Sequence, residues 1–237
     1  VIEYLTETGS TNSDLLQRVS QGERLHEGYW LVTDRQSEGR GRQGRDWFDA
    51  IGNFMGSTVV HLRHGNPARE TLALVAGLAL HETITWHEPG SAQLRLKWPN
   101  DLISGNAKMA GILLEVSGDA VVIGVGVNLV SAPDIPGRAT VALADLGTAP
   151  DRNLFAEDLA RSFANELERW RNAGIAPLIR RWCALAHPLG TPLTVDEPGG
   201  GRVVGTFAGL SEQGLLQLRL ADGTMRAIHA GEVNLTD

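Results

Sequence analysis

Along residues 123–129, IGVGVNL, apolar side chains fall at every second position: Ile123, Val125, Val127 and Leu129 take one face, Gly124, Gly126 and Asn128 the other. A period of two predicts a strand with one buried face. Together with the run before it, AGILLEVSGDAVVIGVGVNL reads as a hairpin turning at Ser117-Gly118-Asp119. VIEYL, GYWLVTD, NFMGSTVVHL and LRLKW read as further strands, the last stopped at Pro99, which has no N–H for a ladder. Apolar positions spaced three and four apart predict helices. One spans STNSDLLQRVSQG, opened by Ser10 or Thr11 as N-cap and closed near Gly22. A second opens at Asn66-Pro67 and runs to about His87, a third covers 153–173 and stops at Gly174, and a fourth covers 176–186. Beyond His187-Pro188 the chain is all short strands, with turns at Pro198-Gly199-Gly200, Gln213-Gly214 and Asp222-Gly223. The pattern predicts an α+β domain with a mixed sheet over residues 1–187, followed by a small β-barrel over residues 188–237.

Composition narrows the class. At 237 residues, 42% hydrophobic and 21% charged, the chain has the make-up of an ordinary soluble globular protein. No apolar run reaches the roughly 18 residues that span a bilayer, and VIEYLTETGS lacks the basic and apolar regions of a secretory signal. The single cysteine, Cys183, lies between Trp182 and Leu185 in a helical pattern; it reads as a buried core thiol and leaves no disulfide or cysteine-based metal site. A cytoplasmic location without membrane partners is the expectation. The net charge of −7 speaks against duplex nucleic acid, which needs a broad basic footprint.

Against that acidic background, GRGRQGRDW at 39–47 puts three arginines and three glycines into seven positions and closes on Trp47. The glycines let backbone approach a ligand, Arg40, Arg42 and Arg45 offer forked donors for phosphate or carboxylate, and Trp47 offers a flat face. The segment reads either as a solvated surface loop or as a lid over a small anion; it is not a P-loop, because the GxxxxGK[ST] spacing is absent. The face formed by Gly124 and Gly126 serves either close packing or close approach of a ligand. KWPND, residues 97–101, sets Asn100 and Asp101 just beyond a strand end, where such residues are ordinary turn formers. Of the 21 basic residues 19 are arginine, and only Lys97 and Lys108 are lysine. An ammonium is a compact point charge that a guanidinium does not replace. Either both lysines survived a drift toward arginine by chance, or at least one contacts substrate.

Taken together, STN at 10–12, GRGRQGRDW at 39–47, KWPNDL at 97–102, KMAGILLE at 108–115 and GVGVN at 124–128 resemble the biotin–protein ligase family, in its form without an N-terminal DNA-binding domain. Order and gaps match over essentially the whole chain. The resemblance implies a catalytic domain like those of class II aminoacyl-tRNA synthetases and biotin and lipoate ligases, and a C-terminal Src-homology-3-like barrel. It also implies a two-step reaction. Biotin's carboxylate attacks the α-phosphate of Mg-ATP to give biotinyl-5′-AMP and pyrophosphate, and an acceptor lysine then takes the biotinyl group. Such a protein must hold two anions together, stabilise charge at the α-phosphate and exclude water.

Residue by residue, the resemblance implies that Ser10, Thr11, Asn12 and Gln36 meet biotin's neutral ureido ring, with Gly124 and Gly126 on the ligand-facing sheet. Arg40, Gly41 and Arg42 match loop positions that contact biotin or the adenylate. Lys108 matches the lysine between biotin's carboxylate and the phosphate, and with Arg42 is the candidate catalytic group. Arg45, Trp47, Asn100, Asp101 and Asn128 match positions near ATP or the adenylate. Magnesium arrives with ATP, so no protein metal ligands are expected. The implied partner is biotin carboxyl carrier protein or another acceptor domain; a homodimer is left open, and no DNA partner is expected because the chain opens on the first catalytic strand. Glu38 departs from the family, which commonly has alanine there, and 129–147, where a second ligand-ordered loop belongs, matches no position. Two alternatives stand beside this reading: a lipoate or octanoate ligase, and a non-catalytic module that binds biotin or nucleic acid.

Overall fold

The structure, a computed structural model, describes residues 1–88 and 94–235. Seven strands, β1 (Ile2–Thr8), β2 (Trp30–Gln36), β3 (Phe54–His61), β4 (Leu94–Lys97), β5 (Asp101–Ser104), β6 (Ala107–Ser117) and β7 (Ala120–Val127), form one sheet in the order β1-β2-β3-β7-β6-β5-β4. Only β1 and β2 run parallel; the other pairs are antiparallel, so the sheet is mixed. The α-helices among the described residues are α1 (Thr11–Ser20), α2 (Leu72–His87), α3 (Arg152–Ala173) and α4 (Ile175–Ala184). Over its first nine residues, Leu72 to Leu80, α2 is apolar on all sides and lies between the sheet and α3 and α4.

The two faces of β7 have different fates. Ile123, Val125, Val127 and Leu129 enter the main core with Phe54, Leu72 and Phe155. On the opposite face Val122 packs with Leu31, Val59 and Leu15 of α1. Gly124 and Gly126 continue that second face, with Asn12 at the start of α1 over Gly124 and Trp47 over Gly126. The cleft begins there.

A second sheet follows, formed by β8 (Pro192–Asp196), β9 (Arg202–Leu210), β10 (Leu216–Arg219), β11 (Met225–Ile228) and β12 (Glu232–Leu235) in the antiparallel order β11-β10-β9-β8-β12. The last two residues of the expected C-terminal unit lie outside the described residues. Leu193, Val195, Phe207 and Val233 join the main core, and Trp98 Nε1 donates to Gly214 O at 3.0 Å, so this sheet packs directly on the larger one. No helix among the described residues is long and apolar enough to cross a membrane.

Four expectations need correction. The second helix does not open at Asn66-Pro67: Asn66 Oδ1 accepts from Arg63 N at 2.9 Å and closes a turn, and α2 starts only at Leu72, after a 3-10 turn over Arg69–Thr71. Asp101, just past the end of β4 as expected, is not a turn residue; it opens β5, a short strand hidden between Pro99 and Gly105. The first hairpin strand begins at Ala107 and carries a bulge: Leu102 pairs with Ala110 but Ile103 with Lys108, leaving Met109 as the extra residue. Cys183 is only partly buried, beside the main core, and burial raises its thiol pKa.

Candidate active site

One cleft on the glycine face is lined by all the residues singled out for a ligand, from Ser10 to Asn128. One end is a buried hydrogen-bonding network. Ser10 caps α1, its Oγ accepting from Ser13 N at 3.5 Å, which brings Thr11 and Asn12 to the sheet surface. Thr11 N donates to Gln36 Oε1 at 2.9 Å, and Thr11 Oγ1 lies 2.7 Å from Ser57 Oγ. Ser57 donates to Asn12 Oδ1 at 2.6 Å, and Asn12 Nδ2 to Glu115 Oε2 at 2.9 Å. Thr11, Asn12 and Ser57 are buried, so this end offers fixed hydroxyl and amide dipoles rather than mobile charge.

The missing side chains of the floor are a steric requirement. A Cβ on Gly124 would lie 2.5 Å from Asn12 Oδ1, and one on Gly126 would overlap the Trp47 indole. The bulge in β6 matters here. It turns Met109 and Ala110 both inward, which lets Lys108 and Gly111, three residues apart, face the cleft together. Without it a strict period of two would put one of them in the core.

Above the floor, residues 39–47 form a tight hairpin. Trp47 N donates to Gly39 O at 2.9 Å and Gly41 N to Arg45 O at 2.6 Å, with Gln43 and Gly44 both at positive φ (59° and 71°). A Cβ on Gly39 would sit 2.5 Å from Trp47 O, so glycine is needed for closure. The three arginines diverge. Arg40 Nη2 donates to Ser13 Oγ at 2.8 Å and to Glu115 Oε1 at 3.2 Å. Arg42 Nη1 donates to Asn100 Oδ1 at 3.0 Å, and burial lowers its pKa. Arg45 Nη1 donates to Glu232 Oε1 at 3.0 Å. Glu38 is exposed and its carboxylate lies near Gly9, outside the cleft lining.

At the far end Lys108 Nζ donates to Asp101 Oδ1 at 2.7 Å and stands 5.8 Å from the Trp47 ring centroid. The segment 129–147, unmatched from sequence, is tied to the same lysine: Lys108 N donates to Ala139 O at 2.9 Å, and Val141 N to Lys108 O at 3.0 Å. Asn128 Nδ2 donates to Lys108 O and Val141 O at 3.4 and 3.3 Å. Among the described residues its Oδ1 and the Nε1 of Trp47 are buried in the cleft lining without a hydrogen-bond partner. Buried polar atoms are normally satisfied, so these two mark places for a ligand's polar atoms.

Several lining residues were missed from sequence. Leu113 is one, continuing the series from Gly111 with period two; Glu115, next in that series, lies outside the lining but bonds Asn12 and Arg40. Ser57, Lys97, Arg138 and Glu232 reach the cleft through tertiary packing alone. Among the described residues no group of three or more His, Cys, Asp or Glu could hold a metal ion.

The cleft joins a buried polar network at one end, glycines beneath Asn12 and Trp47, and a far end where Lys97, Lys108, Arg42 and Arg138 stand with Asp101 and Glu232. The model of the biotin/lipoate A/B protein ligase family matches residues 5–128, and that of the biotin protein ligase C-terminal domain matches residues 189–235. The chain belongs to the biotin/lipoate A/B protein ligase family. It is 37% identical to the biotin–[acetyl-CoA-carboxylase] ligase of Paracoccus denitrificans over 97% of this chain and 98% of that one. Identity to the Mycobacterium tuberculosis enzyme of the same name is also 37%, over 98% of this chain and 88% of the other. The biotin protein ligase of Aquifex aeolicus, solved with biotin and ATP, superposes with a TM-score of 0.82 at 27% identity, covering 99% of this chain and 98% of that one.

Proposed function

We propose that this chain is a biotin–protein ligase that forms biotinyl-5′-AMP from biotin and Mg-ATP, then transfers the biotinyl group to a lysine of a carboxyl carrier domain. The observation that carries the reading is the order of chemistry along the cleft. Neutral donors and acceptors at Thr11, Asn12, Gln36 and Ser57 suit a ureido ring. The body of the ligand would lie along the glycine face beside Trp47, and Lys108 is proposed for the junction of carboxylate and phosphate.

Two unit negative charges 4 Å apart repel by about 4 kcal/mol at an effective dielectric of about 20. A cation between biotin's carboxylate and the α-phosphate offsets that repulsion, which is the role proposed for Lys108, with Arg42 on the adenylate phosphate. Arg40 and Gly41 close the lid over biotin and the adenylate, and Arg45 faces the nucleotide. Trp47 packs at the nucleotide, Asn100 and Asp101 flank the adenylate, and the orphaned Asn128 Oδ1 is an acceptor for the adenine amine. No enzyme nucleophile takes part: the biotin carboxylate attacks phosphorus, and the acceptor amine later displaces AMP.

Lipoate or octanoate fits the head end poorly. An apolar tail there would gain no hydrogen bonds from Thr11, Asn12 and Ser57, which would keep only their bonds to one another, to Gln36 and to Glu115, whereas a ureido ring would add its own. Consumption of ATP supports a cytoplasmic setting. The test is mass spectrometry of a carboxyl carrier domain incubated with the chain, Mg-ATP and each acid. The reading expects the biotinyl adduct on one lysine and no lipoyl or octanoyl adduct; the reverse pattern would refute it.

A further inference from the structure

Of the two lysines that the composition sets apart, Lys108 has a place in the reaction just described and Lys97 has none. Lys97 ends β4 and lies opposite Asp101 in the β4–β5 register, so the two side chains share the cleft side of that hairpin. The neighbouring cations are committed: Lys108 to Asp101, Arg42 to Asn100, and Arg45 and Arg138 to Glu232. Among the described residues Lys97 makes no side-chain hydrogen bond or ion pair. Burial holds its ammonium below the ordinary lysine value, partly offset by Asp101 and Glu232, while Arg138 and Lys108 add to the lowering. The two carboxylates nearby are already bonded to Lys108, Arg45 and Arg138, so this half-buried cation among other cations has capacity for a further anion.

Position along the sheet says which anion. Gly124 lies on β7, Lys108 on β6, Asp101 on β5 and Lys97 on β4. From β7 to β4 is three strand spacings, about 14 Å. On the ligase reading, the carboxylate and α-phosphate meet at Lys108, and the rest of the triphosphate extends away from the neutral head, toward β4. We infer that Lys97 binds the β- and γ-phosphates of ATP and receives the departing pyrophosphate.

The chemistry calls for a cation there. Attack forms a bond from a carboxylate oxygen of biotin to the α-phosphorus and breaks the bond from that phosphorus to the oxygen bridging to the β-phosphate. The electron pair leaves with pyrophosphate, and no proton moves. The leaving group therefore gains a unit of negative charge during the step, and an ammonium beside it binds the transition state better than the ground state.

The test compares the unsubstituted chain with Lys97→Met and Lys97→Arg in biotin-dependent exchange of labelled pyrophosphate into ATP, and in transfer from preformed biotinyl-5′-AMP to a carboxyl carrier domain. Lys97→Met should slow exchange by roughly ten- to a hundredfold and raise the apparent KM for ATP and pyrophosphate. It should leave the biotin Kd and the transfer rate within about twofold, and Lys97→Arg should restore part of the exchange. Unchanged exchange in Lys97→Met, or equal losses in exchange and transfer, would overturn the assignment. Absence of exchange in the unsubstituted chain would instead overturn the ligase reading on which it rests.

Discussion

Lys108 donates to Asp101 at 2.7 Å across neighbouring strands, with only 20% and 18% of the two side chains exposed. A carboxylate so placed fixes the position of the ammonium over Gly111, where the bulge has turned it. Lys108→Ala should lower the adenylation rate by on the order of a hundredfold or more, the usual loss when one charge-stabilising donor is removed. Asp101→Asn keeps the cation but loosens it, and should cost less, roughly tenfold. Single-turnover formation of biotinyl-5′-AMP measures both; an unchanged rate in Lys108→Ala would remove it from the mechanism.

The two floor glycines should separate the two ligands. Gly124→Ala drives a methyl into Asn12 and should weaken biotin binding by tenfold or more, since the polar head is displaced. Gly126→Ala collides with Trp47 instead and should raise the KM for ATP while changing the biotin Kd less. Calorimetric titration with biotin and steady-state kinetics in ATP distinguish them. Equal effects of both substitutions on both ligands would show that the floor is not divided in this way.

Much of this arrangement was legible in the sequence because it is local. The alternation at 123–129 predicted both the core face and the bare face of β7, and STN announced the capped start of α1. What was not legible depends on distance or ambiguity. Asn66-Pro67 carries the signals of a helix start, but the same asparagine closes a turn with Arg63. β5 is four residues long and too short to show a period. The bulge at Met109 leaves no mark in an apolar run, since Met109 and Ala110 are both credible core residues. Glu232 meets Arg138 across 94 positions and Arg45 across 187, and no local pattern encodes such pairs.

The contact between Trp98 and Gly214 ties the KWPND turn to the C-terminal sheet. Trp98→Phe removes the donor and leaves the part-buried Gly214 carbonyl unpaired, which should destabilise the protein by about 1 kcal/mol. Thermal unfolding should show a midpoint lower by a few degrees, with the loss carried by both sheets in one transition. An unshifted midpoint would mean that the contact contributes nothing to joining them.

Acidification should act first through histidines. Burial depresses the pKa of both His81 and His187 below the ordinary value, with Arg95 and Lys97 adding to the effect at His187. The unfolded chain therefore binds more protons as the pH falls through about 6.5, and stability falls with it. The carboxylates held low by ion pairing, such as Glu27 with Arg171, contribute only below about 4.5. Urea unfolding should show lower stability at pH 5.5 than at pH 7.5, and His81→Gln should flatten that difference. A flat profile between those values in the unsubstituted protein would contradict the effect of burial.

The most direct test of the central claim is exchange of labelled pyrophosphate into ATP, measured with biotin, lipoate and octanoate in parallel on folded, magnesium-supplied protein. The account predicts exchange with biotin and none with the other two acids. Exchange with lipoate or octanoate alone, or with no acid at all, would contradict it.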